Sequence, residues 1–449
     1  MRIYYEIETL KRELDSRIFF SIISASRGHS VVIGKKNRLL SKIKYLSPGV
    51  YIFKSNRENP QKYSKQLRKL GYYIFASDEE GHIIFNNETT LKRNPIDAFN
   101  VIDKYLAWGS EQADILKDEY KKKIENKLII CGNPRLDILK NPVNKIFLKS
   151  SEKIQKEYGE FDLYISAFHR YNALGNNNSW EKILKNASFQ NEKVKETAYN
   201  IFHTQKKNMV ETINFLNFNS KKFKKKLIIR PHPSEDISTW KNKLNKDLKD
   251  SVIIDHESTN AWILAARNVL SFYSTSLLEA FILGKIPYIL QFSDGKYFQN
   301  LNLYNCCEQI IKPYDYEELI SKIEKCKKTF SFKDRKQSLS YSFYNLDKFN
   351  PDIVCKEIEK MFPNERFKKK DRFTNKLCFT YFKLSQKFRN FFINKNNFES
   401  KIYSQKNPGF TIEYIFQRIK SMGLLLNIKD LTCKELYPGV FEITRTNDY

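Results

Sequence analysis

Hydrophobic positions along the chain switch repeatedly between two periods. Ile3 to Ile7 is a plausible strand; Leu10, Leu14, Ile18, Phe19 and Ile22 then recur at helical spacing, and Gly28 stands where a helix C-terminal glycine belongs. Ser30 to Ile33 restarts a strand. The alternation continues through Val50–Phe53, a helix near Gln61–Leu70, Tyr72–Ala76, a helix near Ile96–Leu116 and Leu128–Cys131. After a charged stretch at 145–159, a second series offers strands at Asp162–Ala167, Lys226–Arg230, Val252–Asp255, Asn268–Phe272 and Pro287–Gln291, separated by helices such as Glu192–Leu216 and Ser276–Leu283. Strands alternating with helices predict parallel β-α units. The expected fold is α/β: two Rossmann-like doubly wound domains that face each other across a cleft and bind ligand at the carboxyl ends of their strands. The expected boundaries are 1–150 and 151–335 for the two α/β domains, with 336–449 forming a return helix and a basic, largely helical C-terminal extension.

Composition narrows the class. The 449 residues suffice for two cores, and 41% hydrophobic residues with only 14 Gly and 13 Pro exclude disordered and collagenous chains. Lys and Arg number 78 against 51 Asp and Glu, a net charge of +27 that favours an anionic partner: nucleic acid, a membrane face or a phosphorylated substrate. A bias toward Lys, Asn, Ile and Phe throughout the chain is the plainer account of that charge. No nucleic-acid-binding module is present in the sequence, so nucleic acid is not an expected partner. Between Glu365 and Lys401 eleven Lys or Arg meet three acids, with Phe and Tyr interleaved. Such a segment suits the surface of an anionic inner membrane, or a solvated helix that packs back on the core. Seven cysteines form no CxxC pair and no pattern with His, so neither zinc nor disulfides are expected. The N-terminus is charged where a leader needs an apolar run, and no apolar stretch of about 20 residues occurs. The expectation is a cytoplasmic protein, peripheral on the inner membrane if the basic segment binds it.

Candidate chemistry gathers at predicted strand ends. Leu227–Ile229 runs into Arg230-Pro-His232-Pro-Ser-Glu235, a rigid exit in which Arg230 and His232 supply donors for phosphate oxygens. Asn268–Ser271 leads to Ser274-Thr275-Ser276 at a predicted helix N-terminus, where hydroxyls and free N–H groups suit a phosphate; Glu279, one turn on, suits a ribose diol. Together they indicate a nucleotide mono- or diphosphate site. In the first half, Asp78-Glu79-Glu80-Gly81 crowds three carboxylates after a strand, which suits a general base or a nucleophile, though an acidic surface turn would look the same. Glu6 and Glu8 end the first strand toward the same side, with Arg12, Glu13, Asp15 and Arg17 on the following helix. Cys131-Gly-Asn133-Pro-Arg135 is a defined turn that either shapes the chain or contacts ligand. Neither GxxxxGK[ST] nor a strand-linked GxGxxG occurs, so ordinary ATPase and dinucleotide readings lack support.

The segments ETLKRELDSR, RGHSVVIG, DEEG, AWGSEQAD, GNPRLD, RPHPSE and STSLLEAFILGKIP, in this order, resemble the bacterial surface carbohydrate (surface polysaccharide) biosynthesis protein family. The resemblance spans about residues 1–295 and leaves the basic segment outside. It implies a GT-B-type glycosyltransferase distantly related to retaining Kdo transferases, moving a keto-sugar acid (Kdo or a nonulosonic acid) from a CMP-activated donor to a surface glycan or lipid-linked acceptor. No metal and no cofactor beyond that substrate are implied. By the same resemblance His232 and Ser274–Ser276 hold the CMP phosphate with Arg230 in support, and Glu80 or Asp78 acts as base or nucleophile, with Glu8 nearby. Arg12 and Arg135 are assigned to the donor carboxylate, with Asn133 beside them. Two alternatives stand: a polyol-phosphate transferase using a CDP-alcohol, and a non-catalytic binding protein that keeps the nucleotide fold.

Overall fold

A computed structural model describes residues 1–174, 192–224, 226–253, 257–293, 298, 301–344, 346–363 and 411–446. The chain forms two units, Met1–Ile146 with Ser340–Tyr449, and Phe147–Leu339, each built on its own sheet.

In the first unit β1 (Arg2–Ile7), β2 (Ser30–Lys35), β3 (Val50–Phe53), β4 (Tyr73–Ser77), β5 (Lys104–Ala107) and β6 (Leu128–Ile130) run parallel in the order β2-β1-β3-β4-β5-β6. Helices cover such a sheet on both faces, so the middles of its strands are largely apolar; all four residues of β3 are buried. Between β1 and β2 lies α1 (Leu10–Ser26), which buries the predicted row of Leu10, Leu14, Ile18, Phe19 and Ile22. It stops where Gly28 takes a φ of +82°, a backbone conformation a side chain would resist. Because β2 and β3 flank β1 on opposite sides, the winding reverses at β1/β3. That reversal opens a crevice above the carboxyl ends of the strands.

The second unit repeats the plan. β7 (Asp162–Ile165), β8 (Leu227–Arg230), β9 (Asn268–Ser271), β10 (Pro287–Gln291) and β11 (Glu308–Ile311) are parallel in the order β8-β7-β9-β10-β11, with the reversal at β7/β9. α2 (Glu192–Phe218) lies between β7 and β8, and α3 (Ser276–Ile282) follows β9. Arg267 fixes the amino-terminal end of this sheet by a two-pronged bond to Asp162 (3.0 and 2.7 Å). Two strand expectations change. Val252 makes only an isolated bridge to Ile229, and 254–255 lie outside the described residues. β11 is an edge strand with half of its residues exposed, so it lacks the apolar run that marks the others.

The C-terminal part returns to the first unit. α4 (Asn350–Met361) packs on α1, where Glu359 meets Arg27 (2.6 Å) and His29 (3.2 Å). α5 (Ile412–Leu425) also lies on α1, tied by Arg418 to Asp15 at 3.2 Å. These are the expected helices of the extension. It ends, however, in a hairpin, β12 (Leu431–Tyr437) and β13 (Val440–Arg445), whose inner strand pairs antiparallel with β2. An almost fully buried Arg2–Glu442 ion pair, 2.9 Å, joins β13 to the start of β1. The basic segment Glu365–Lys401 lies outside the described residues. Among the described residues no helix is long and apolar enough to cross a membrane.

Candidate functional site

Two clusters stand at strand carboxyl ends, one in each unit. In the second unit, the strand order puts the exits of β8 and β9 on either side of β7, about 10 Å apart at the usual strand spacing. His232 follows β8 and is exposed; its Nδ1 accepts the Ser234 N–H (3.1 Å), so Nε2 carries the proton and is a donor. Arg230, half-buried, donates to the Glu257 carbonyl (3.3 Å) with its guanidinium 5.0 Å from the Trp262 ring centroid. Beyond β9, Tyr273 adopts a left-handed φ of +49°, at a cost of order 1–3 kcal/mol. Its carbonyl accepts from the Tyr304 hydroxyl, its own hydroxyl donates to Gln291 (3.0 Å), and its ring stacks on Phe298. The strained residue turns the chain into the hydroxyl cluster. There the Ser274 Oγ accepts the Ser276 N–H (3.2 Å), Thr275 makes no side-chain cap, and Glu279 is half-buried on α3.

The exit of β7 supplies a residue that the sequence reading missed. His169 lies beside His232 with ring centroids 4.7 Å apart and the ring planes tilted by 33°. Burial, with a smaller contribution from the Arg170 charge, pushes its pKa down to about 4, so the imidazole is neutral. What sets the two rings side by side is Glu235. Its buried carboxylate accepts from Ser166 Oγ (2.7 Å), the Phe168 N–H (2.7 Å) and the Trp240 indole (2.9 Å), while Leu174 N donates to the Ser234 carbonyl (2.8 Å). The loop after β7 and the loop after β8 are thereby laced into one body. His169 stands four residues beyond the end of β7, so that it meets His232 only because β7 and β8 are neighbours in the sheet.

A pH test follows. With the folded value below the ordinary 6.5, His169 favours folding fully above about pH 6.5, and that contribution is lost as pH falls toward 4. The thermal midpoint of the wild type should therefore fall relative to that of His169→Gln between pH 7 and 4. A constant difference across that range would refute the assignment.

The first unit gathers charge instead. At the end of β1 the carboxyl of Glu6 is buried, bonded by the Tyr51 hydroxyl (3.0 Å) and the Lys54 N–H (3.2 Å); burial outweighs both and raises it to about 7. Glu8 is exposed and pairs with Lys54 (2.6 Å), which also holds Glu13 (3.0 Å). After β4 the three consecutive carboxylates have separate fates. Asp78 is buried against Arg93 (3.0 Å); burial raises its pKa, opposed by that arginine. Glu79 is buried in an ion pair with Arg17, itself fully buried. Glu80, its side chain 51% exposed, pairs with Arg12 (2.9 Å). Burial raises Glu80, but Arg12 and Arg135 outweigh it and keep the carboxyl below its ordinary range, hence ionised.

His82 lies buried beside Trp108, ring centroids 5.0 Å apart, with its pKa well depressed by burial and by Arg135, Arg12 and Arg93. The Trp108 indole in turn donates to the Asp78 carbonyl (2.6 Å). Asn133 caps the short helix Pro134–Asp137 through the Arg135 N–H (2.9 Å), so its side chain shapes the turn. The structure thus collects Glu8, Arg12, Asp78, Glu80 and Arg135 at one edge of the first sheet, and Arg230, His232 and Ser274–Ser276 at one edge of the second. Lys54, His82 and Arg93 join the first set unforeseen. Among the described residues no group of three or more His, Cys, Asp or Glu is arranged to hold a metal ion.

No protein-family model matches the chain, and no curated protein matches it. Solved structures do. The wall teichoic acid polymerase TagF, as its H548A form, is 11% identical over 82% of this chain and 90% of that one, with a TM-score of 0.46. The UDP-N-acetylglucosamine 2-epimerase from Rickettsia bellii is 14% identical over 82% of this chain and all of that one, TM-score 0.46. That from Methanocaldococcus jannaschii is 12% identical over 81% and 99%, TM-score 0.42. Agreement at this level assigns no activity.

Proposed function

We propose that the chain is a transferase of surface-glycan assembly that takes a cytidine-nucleotide-linked donor at the β7–β8–β9 strand ends of the second unit. The pairing of His169 with His232 carries the reading. Two imidazoles, a guanidinium and three hydroxyl side chains are suited to a phosphorylated ligand, and to more than one phosphate group. This favours a CDP-alcohol as donor. The acceptor oxygen attacks the outer phosphorus, the bond to CMP breaks, and the acceptor proton passes to His169, whose proton affinity rises once anionic phosphate lies beside it. His232 Nε2–H and Arg230 then stabilise the departing CMP.

A second reading rests on Glu80. An ionised, half-exposed carboxylate is the group needed to activate an acceptor hydroxyl or to attack the anomeric carbon of a CMP-linked keto-sugar acid, whose own carboxylate Arg12 or Arg135 would meet. Offering both donors with a surface-glycan acceptor separates the two. CMP is released in either reaction, but phosphate appears in the product only with the CDP-alcohol. If neither donor releases CMP, both readings fail. Under the keto-sugar reading Glu80→Gln should lower kcat by about a hundredfold or more with donor affinity unchanged. Under the CDP-alcohol reading the loss should stay within about threefold, with His169 as the base; steady-state kinetics and donor titration check this.

A further inference from the structure

The helix Glu58–Lys69, which joins β3 to β4, buries Pro60, Ser64 and Leu67 and leaves Lys62, Lys65 and Lys69 exposed. These three follow one another at spacings of three and four residues, a row about 10 Å long on one side of the helix. Lys44, on the short turn Ile43–Tyr45, stands across from them, and the four lysines with Gln66 and Leu70 line an open groove of about 440 Å³. Among the described residues no ion pair engages any of the four, and Glu58, one turn ahead of Lys62, neither lines the groove nor pairs with them. Arg68 on the same helix does find an acid, Asp103 at 2.8 Å, but Arg68 does not line the groove. Like charges at these spacings destabilise a helix, so folding gives no reason for an unneutralised row. The helix dipole favours a cation at Lys69, in the last turn, but not at Lys62 or Lys65.

The form of the groove restricts the counter-charge. A single phosphate or a nucleotide is gripped by arginine forks and helix N-termini, and this lining has neither. Bases need bare aromatic rings, but Tyr45 and Tyr63, next in sequence to two of the lysines, have Lys44 and Lys62 over them, 4.9 and 5.5 Å from the ring centroids. Docking on a bilayer adds exposed apolar side chains to basic ones, whereas Leu70, Tyr45 and Tyr63 are all half-buried. Residues 365–401 carry eleven Lys or Arg against three acids, the wrong sign to neutralise the row. What fits is a chain of anions in series, laid along the lysines. We propose that the groove binds a phosphodiester-linked glycan, the already extended part of the acceptor. The identity of that polymer rests on the CDP-alcohol reading, in which every transfer leaves a phosphate in the product and so adds one negative charge per unit.

The test is calorimetric titration of the full chain, without donor, with glycerol 3-phosphate, with poly(glycerol phosphate) of about ten units and with uncharged dextran. The polymer should bind at least about tenfold more tightly than the monomer and less tightly at high salt, and dextran should not bind. Lys62→Gln/Lys65→Gln/Lys69→Gln should bind the polymer about tenfold or more weakly, with a thermal midpoint no lower than that of the wild type, because repulsion is removed. Lys62→Arg/Lys65→Arg/Lys69→Arg, which keeps the charges, should stay within about threefold of the wild type. With the polymer as acceptor, the glutamine variant should raise its KM by a similar factor at unchanged kcat. Equal affinity for monomer and polymer, or a glutamine variant that binds the polymer like the wild type, overturns the inference. So does tighter binding of polysialic acid, of single-stranded RNA or of phosphatidylglycerol vesicles that the glutamine variant loses. Because the titration contains no donor, a failure to release CMP strikes the transferase reading, and a failure to bind the polymer strikes this one.

Discussion

His232→Asn is expected to lower turnover of the cytidine-linked donor by about two to four orders of magnitude, measured as CMP release at saturating donor. The residue is poised as a donor, because the Ser234 N–H fixes its tautomer and Nε2 carries the proton. Asparagine keeps a donor of similar reach but loses the imidazole's place beside His169. His169→Asn should cost a similar factor. If the two rings act as a unit, the double variant should lose little more than the worse single one. Losses that multiply would show separate roles. Loss below about threefold in both single variants would remove the second unit's cluster from the reaction altogether.

Arg17→Met is expected to destabilise the protein by about 3–5 kcal/mol, the usual consequence of leaving one member of a buried ion pair behind. Arg17 is fully buried, its guanidinium 3.7 Å from the Tyr5 ring centroid, and it bonds the buried Glu79 carboxylate and the Glu6 carbonyl. Burial alone would raise Glu79, but Arg17, Arg135 and Lys54 keep it below its ordinary range. Without Arg17 the carboxyl becomes easier to protonate, so the deficit should narrow as pH falls. Adding Glu79→Gln should recover much of the loss at neutral pH. Denaturant midpoints of the wild type, Arg17→Met, Glu79→Gln and the double variant decide the matter; a loss under about 1 kcal/mol in Arg17→Met would mean that the pair contributes little.

Much of the fold is legible in the sequence because parallel strands buried on both faces are largely apolar, and Val50–Phe53 or Leu227–Ile229 can hardly be read otherwise. β11 and the terminal hairpin escape that rule. Edge strands carry polar residues on their open side, as the partly exposed β12 does, so no continuous run announces them. At the sites, residues beside punctuation such as Pro231, Pro233 or the consecutive acids were legible. His169 was not singled out, because its meaning depends on β7 lying between β8 and β9, a fact of strand order. Asp78, Glu79 and Glu80 looked equivalent as three adjacent carboxylates. Only their neighbours separate them: Arg93 and Arg17 bury two, while Arg12 leaves the third half in water.

The antiparallel pairing of β13 with β2 carries a consequence for how the protein is made. Residues 440–445 finish a sheet whose opening strand is made some 430 residues earlier, about 20–90 s at ordinary elongation rates of roughly 5–20 residues per second. Throughout that interval the nascent chain carries an unpaired rim along β2, whereas residues 147–339 are contiguous and can complete their own sheet during translation. The domain begun first is therefore closed last, and one strand of its sheet keeps an open edge until the hairpin has been made.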